Sequence, residues 1–147
     1  MSISNRNYKT GRNGITLTET VFAVGIAAIV IVAVVVTFIQ TIEISKRINY
    51  EYTANNLAKS RIERARAVME ASGFSALPDL GVDIDSILDK DGIENLDGEY
   101  KRTTQIATNY GGSARLTQVI VTVSYKFRGK WRDAGATTLT TVFANIE

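Results

Sequence analysis

The 147-residue chain contains no cysteine, no histidine and a single proline, Pro78. Without cysteine there is no disulfide and no thiolate chemistry, so any folded domain must be held by packing alone. Without histidine the commonest general base and the commonest metal ligand are missing. No phosphate-binding loop, nucleophile–base set or metal-ligand cluster is legible. Acid–base work by carboxylates alone is what remains open to an enzyme, and an enzyme is not expected; neither is a cofactor or a metal. With proline confined to position 78, nothing from Thr16 onward breaks a helix before Gly73. Gly25 is the interior glycine of that stretch, at a cost of ~1 kcal/mol relative to alanine. The length allows at most one globular domain plus a helix.

What is present is a long apolar run. Val21 to Ile39 reads VFAVGIAAIVIVAVVVTFI, nineteen residues without a charge. At 1.5 Å per helical residue this is roughly 29 Å, close to the hydrocarbon thickness of a bilayer. A membrane span over about 21–39 is therefore expected. Charge is distributed unevenly around it. Residues 1–14 carry Arg6, Lys9 and Arg12 and no acid. The rest of the chain holds the other fourteen of seventeen basic side chains against fifteen acids, a net charge of −1. The basic balance thus bears on topology and not on nucleic acid. The positive-inside rule puts the N-terminus in the cytoplasm and the C-terminal part outside; Lys46 and Arg47, just past the span, oppose this and are outweighed. A cleaved secretory signal fits poorly, because the run exceeds the usual ~7–15 residues and no A-x-A-like site follows. An uncleaved single-pass anchor accounts for the span, but not for Gly14 or Glu19.

Those two residues frame a specific pattern: Gly14, an apolar Ile15, Glu19 as the fifth residue after the glycine, then the long apolar helix. The pattern resembles the N-terminus of type IV pilins and pseudopilins. The resemblance implies cleavage between Gly14 and Ile15 by a prepilin peptidase, N-methylation of the new terminus at Ile15, and a role for Glu19 in assembly, pairing with the N-terminal amine of a neighbouring subunit. Ile15 stands where Phe or Met is commoner in the family, and Val36 where major pilins often carry proline; the latter favours a minor or pseudopilin-like subunit. Looser patterns, Ala54–Ser60, Val121–Tyr125 and Leu139-Thr140-Thr141, resemble the I-type minor pseudopilin and the V-type minor pilins.

Beyond the span the pattern becomes amphipathic. Ile44, Ile48, Tyr52, Ile62, Ala65 and Met69 recur at helical steps, bridged by Asn55 and Ala58, and predict one stripe that something must cover. Lys59–Glu63 and Arg66–Glu70 are spaced as helical ion pairs. Gly73 should end the helix. Residues 73–98 read as an acidic connecting loop, with a short helix expected around Asp83–Lys90. From residue 99 the period changes to two. Tyr100–Thr108, Leu116–Phe127 and Thr137–Ile146 are expected strands, separated by turns at Asn109–Gly112 and Arg128–Lys130. In the second strand Val119, Val121, Val123, Tyr125 and Phe127 should share the buried face. The expected fold is α+β: a basic leader (1–14), a long helix (15–72) that is membrane-spanning in its first half and amphipathic in its second (about 40–72), and a small antiparallel sheet domain (99–147) on which the second half packs.

Three further features have competing readings. The acids of Asp83–Glu99 could hold calcium, but the EF-hand spacing fails at Ile87 and Gly98, so a solvated loop is expected. Lys59, Arg61, Arg64 and Arg66 could form a patch for DNA uptake, but Glu63 and Glu70 interleave, so a solvated mixed-charge face is expected and no nucleic acid. Trp131 could be an exposed contact, or could close the sheet onto the helix, the preferred reading. The function expected from the resemblance is a structural subunit of a pilus-like filament or secretion pseudopilus. Its partners would be the prepilin peptidase, other pilin or pseudopilin subunits, an inner-membrane assembly platform and the lipid bilayer. The alternatives are a membrane-anchored extracytoplasmic interaction domain that is not processed, or a competence pilus subunit.

Overall fold

The computed structural model describes residues 16–81 and 83–145. The leader, Gly14 and Ile15 lie outside the described residues, as does Ile146 at the end of the third expected strand. The chain divides into two units, Met1–Ile42 and Glu43–Glu147. One helix, α1 (Leu17–Ser72), contributes to both.

In the first unit every residue from 16 to 42 is exposed. This is the apolar stretch, and it is long and apolar enough to cross a membrane. A soluble helix of this composition would bury its side chains; these have no cover from the described residues, which is the state expected of a segment solvated by lipid. Two of its threonines bond back onto the helix backbone. Thr37 Oγ1 donates to the Ala33 carbonyl at 2.8 Å and Thr41 Oγ1 to the Thr37 carbonyl at 2.9 Å. Such back-bonding is the local partner a hydroxyl has when water is absent.

In the second unit the remaining turns of α1 pack on a four-stranded antiparallel sheet, so the fold is α+β as expected. The strands are β1 (Ser86–Leu88), β2 (Tyr100–Thr108), β3 (Leu116–Phe127) and β4 (Lys130–Ala144), in spatial order β1-β2-β3-β4. Helix α1 ends as anticipated. Gly73 takes a φ of 86°, which an L side chain adopts only with strain, and its N–H still donates to the Met69 carbonyl. A 3₁₀ segment, Phe74–Leu80, follows and buries Leu77.

The expected short helix at Asp83–Lys90 is absent. The chain instead forms β1, whose three residues pair with Tyr100–Arg102. Long-range pairing decides here, because three residues carry no periodicity to read. Gly98 permits the return of the chain to β2: a Cβ there would lie 2.2 Å from the Leu88 carbonyl oxygen. β2 and β3 have the expected limits. β4 starts seven residues earlier than expected, because the two-residue turn Arg128–Gly129, both at positive φ, closes a tight hairpin at Phe127↔Lys130. The register then breaks: Val123 faces Thr137 but Tyr125 faces Arg132, so residues 133–136 bulge opposite Ser124.

The core lies between α1 and one face of the sheet. It contains Ala54, Leu57, Ala58 and Ala65 from the helix, Leu77 and Leu88 from the connection, and Tyr100, Val119, Val121, Val123, Tyr125 and Phe143 from the strands. The β3 face is the one anticipated, with Phe127 packed at its margin. The helix stripe is covered in its second half, where Ala58 and Ala65 are buried and Ile62 and Met69 pack against the core, but not in its first. Ile44, Ile48 and Tyr52 are exposed, and the covered line runs Tyr50, Ala54, Leu57/Ala58, Arg61, Ala65. Alanines at 54 and 58, both fully buried, let the helix backbone approach the sheet. Tyr50 anchors the upper end of this line. Its ring stacks on Tyr125 at 5.6 Å and meets Phe127 edge-on at 6.1 Å, contacts worth about 0.5–1.5 kcal/mol each beyond the area they bury.

Candidate functional site

The first residues of α1 form the site that the sequence singled out. Thr16 is the N-cap: its Oγ1 accepts the Glu19 backbone N–H at 3.2 Å, and its carbonyl accepts the Thr20 N–H at 3.1 Å. This places Glu19 in the first helical turn, where its charge opposes the positive end of the helix dipole favourably. Its side chain is exposed, and among the described residues no hydrogen bond or ion pair engages its carboxylate. Immediately after it comes the uncovered apolar stretch. A carboxylate at the edge of such a segment costs a few kcal/mol unless paired or drawn to the headgroups. The arrangement presents one anionic group at the end of an apolar rod. Gly14 and Ile15, the other two residues of the pattern, lie outside the described residues.

A second cluster, in the other unit, escaped the sequence reading. Arg61 is 7% exposed and reaches from α1 under the connecting segment. Its Nη2 donates to the Leu80 carbonyl at 3.0 Å and the Gly81 carbonyl at 3.2 Å, and forms an ion pair with Asp83 Oδ2 at 3.0 Å. The same Asp83 oxygen accepts from Arg102 Nε at 2.9 Å and Thr104 Oγ1 at 3.1 Å. One carboxylate thus joins the helix, the connection and β2. Burial pushes the Arg61 guanidinium below its ordinary pKa, and Asp83 pulls the other way. Arg61 Nε is buried without a partner among the described residues. Arg61 therefore does not belong to a solvated mixed-charge face, although Lys59, Glu63, Arg64, Arg66 and Glu70 are exposed as that reading required. The signal was its position, three residues after Ala58 and four before Ala65 on the covered line. The four-apart ion pair that forms on α1 is Arg47–Glu51, 2.9 Å, and not Lys59–Glu63 or Arg66–Glu70.

The acidic connection is organised by its own side chains. Asp89 Oδ1 accepts from the N–H groups of Asp91 and Ile93 at 2.9 and 3.0 Å, and Asn95 Oδ1 from Asp97 N–H at 3.0 Å. Among the described residues no acidic group of three converges as metal ligands would. Trp131 does not close the sheet onto the helix. It is half-buried with the Lys101 and Lys126 ammoniums at 5.5 and 6.0 Å from its ring, beside its β3 partner Lys126. A further link between α1 and the sheet runs through tyrosine hydroxyls: Tyr125 donates to Glu51 at 3.1 Å and Tyr50 to Glu99 at 3.2 Å. Arg128 pairs with Glu43 at the first turn of the unit. Burial, then the Glu99 charge, raises the Tyr50 pKa, and burial raises that of Tyr100.

Comparison of the chain with models of known protein families, with curated proteins and with solved structures returns no match.

Proposed function

We propose that the protein is a structural subunit of a type IV pilus-like filament or secretion pseudopilus, in the minor or pseudopilin class. The observation that carries the reading is the wholly uncovered apolar helix that begins two residues before Glu19 and continues into the helix of a folded sheet domain. Cleavage after Gly14 by a prepilin peptidase would leave Ile15 with a free α-amine, the N-methylation site, beside the apolar rod. Glu19 of one subunit then pairs with the amine of another in the shared core, where each relieves the other's cost in an apolar medium. In the bilayer the rod spans the inner membrane with the N-terminus cytoplasmic. On assembly it exchanges lipid contacts for contacts with like helices through an assembly platform. Ile44, Ile48 and Tyr52, uncovered within the sheet-bearing unit, offer that unit an apolar contact surface of its own.

Coexpression of the full chain with a prepilin peptidase should shorten it by the fourteen residues of the leader, and Gly14→Ala should block most of that shift. An unchanged mass would instead leave a plain anchored domain. Glu19→Ala should still be cleaved but should not enter filaments; normal incorporation of that variant would remove the pairing step.

A further inference from the structure

The two edges of the sheet are treated differently. At one edge β1 is three residues long, and its far side is taken up by the chain itself: Asp89 N–H donates to the Ile93 carbonyl and Asn95 N–H to the Ile87 carbonyl, around an isolated bridge at Leu88↔Glu94. Acidic side chains surround it. Shortness, cover and charge are the devices that keep a sheet edge from pairing with another chain. At the other edge β4 is fifteen residues long and pairs only with β3 among the described residues. After its bulge, Thr137–Ala144 runs without a charge, a proline or a further break in register. In the sequence the uncharged stretch extends from Ala134 to Ile146. Its composition, threonine with Leu139, Val142 and Phe143, is that of a strong strand former. In antiparallel pairing, about every second residue of such an edge turns its N–H and C=O away from β3.

We propose that the free edge of β4 is an interaction surface for the β4 edge of a second copy of this chain, the two strands running antiparallel about a two-fold axis. The stretch is its own complement. Antiparallel self-pairing centred on Thr140 sets uncharged residues against uncharged residues over the whole of 137–144, so no like charges meet. It also sets Thr140 opposite its own copy and Thr138 opposite Val142 on the exposed face, β-formers against β-formers. Thr138, Thr140 and Val142 stay on the exposed face of the sheet, so they report on the contact without entering the core. An isologous contact of this kind closes on itself. It differs from a helix-to-helix contact in a filament and depends on neither leader cleavage nor Glu19.

The absence of native cysteine gives a clean test on the full-length chain in membranes. Single substitutions Thr138→Cys, Thr140→Cys and Val142→Cys are oxidised and the fraction of disulfide-linked dimer is measured, with Asn56→Cys on exposed α1 as the collision control. The proposal expects a dimer several-fold above the control, peaking at one β4 position. Adding Thr138→Lys and Val142→Lys should return the Thr140→Cys dimer to the control level, with thermal unfolding unchanged. The peak should survive in the Gly14→Ala background, so loss of the filament reading leaves it standing. Dimer yields at all three β4 sites no greater than at Asn56→Cys, or a peak that the lysines do not remove, would overturn it.

Discussion

The two parts of α1 obey different rules. From Val21 to Ile39 the helix is apolar on every side and none of the described residues covers it. From Glu43 to Ser72 it is polar, with one narrow line buried against the sheet, and that line is built from small residues, an aromatic anchor and a charge, Arg61. The same backbone is stabilised by its solvent in the first part and by its neighbours in the second. Composition alone therefore decides where a helix surface goes only when all of it is apolar. Where polar and apolar residues mix, contact partners elsewhere in the chain select the buried face.

The contrast can be broken from either side. The largest effect is expected at Asp83. Asp83→Ala leaves the buried Arg61 and the partly buried Arg102 without their shared acceptor, and should destabilise the sheet-bearing unit by about 3 kcal/mol. Chemical denaturation would measure this, while partition into membranes should not change. Val30→Lys is the converse. It should cost about 2.5–3.5 kcal/mol of membrane insertion, read as protein lost from the membrane fraction, with the denaturation midpoint of the sheet-bearing unit unaltered.

A smaller effect should appear at alkaline pH. The Tyr50 and Tyr100 phenols have raised pKa values in the folded chain. The stability they contribute is fully present below pH ~10, the value of an unfolded tyrosine, and is lost as pH rises through the folded values. Urea midpoints followed upward from pH 9 should fall, and Tyr50→Phe should flatten the fall. The smallest effect sharpens the comparison within the second part. Ile48→Ser, on the exposed side, should change stability by less than about 0.5 kcal/mol, whereas its recruitment into filaments should drop if the proposed assembly surface is correct.

Much of the architecture was legible in the sequence because it rests on local signals. The apolar run announced itself by length. Gly73 marked the helix end, and the strict alternation of Leu116–Phe127 between two turns fixed both limits of β3. What was not legible depends on contacts distant in the chain. β1 exists because Tyr100–Arg102 offers it a partner. The early start of β4 follows from the hairpin at Arg128–Gly129, where Lys130 and Arg132 hide the alternation. Arg61 was assigned to water because it is charged, although its position on the helix placed it with the alanines. For the candidate site, Glu19 was found by its spacing from Gly14. The stripe of Ile44, Ile48 and Tyr52 was correctly seen as apolar but wrongly assigned to the sheet, since hydrophobicity does not say which partner a face will meet.

The Arg61–Asp83–Arg102 cluster has a consequence for a chain devoid of sulfur bridges. It fastens three distant stretches, α1, the connection and β2, across a span of forty-one positions, as a covalent staple would. A staple made of charge needs no electron acceptor and no isomerase to form, and no reductant can open it. The fold can therefore mature in any redox setting, and its vulnerability shifts from thiols to the loss of a single oxygen atom on Asp83.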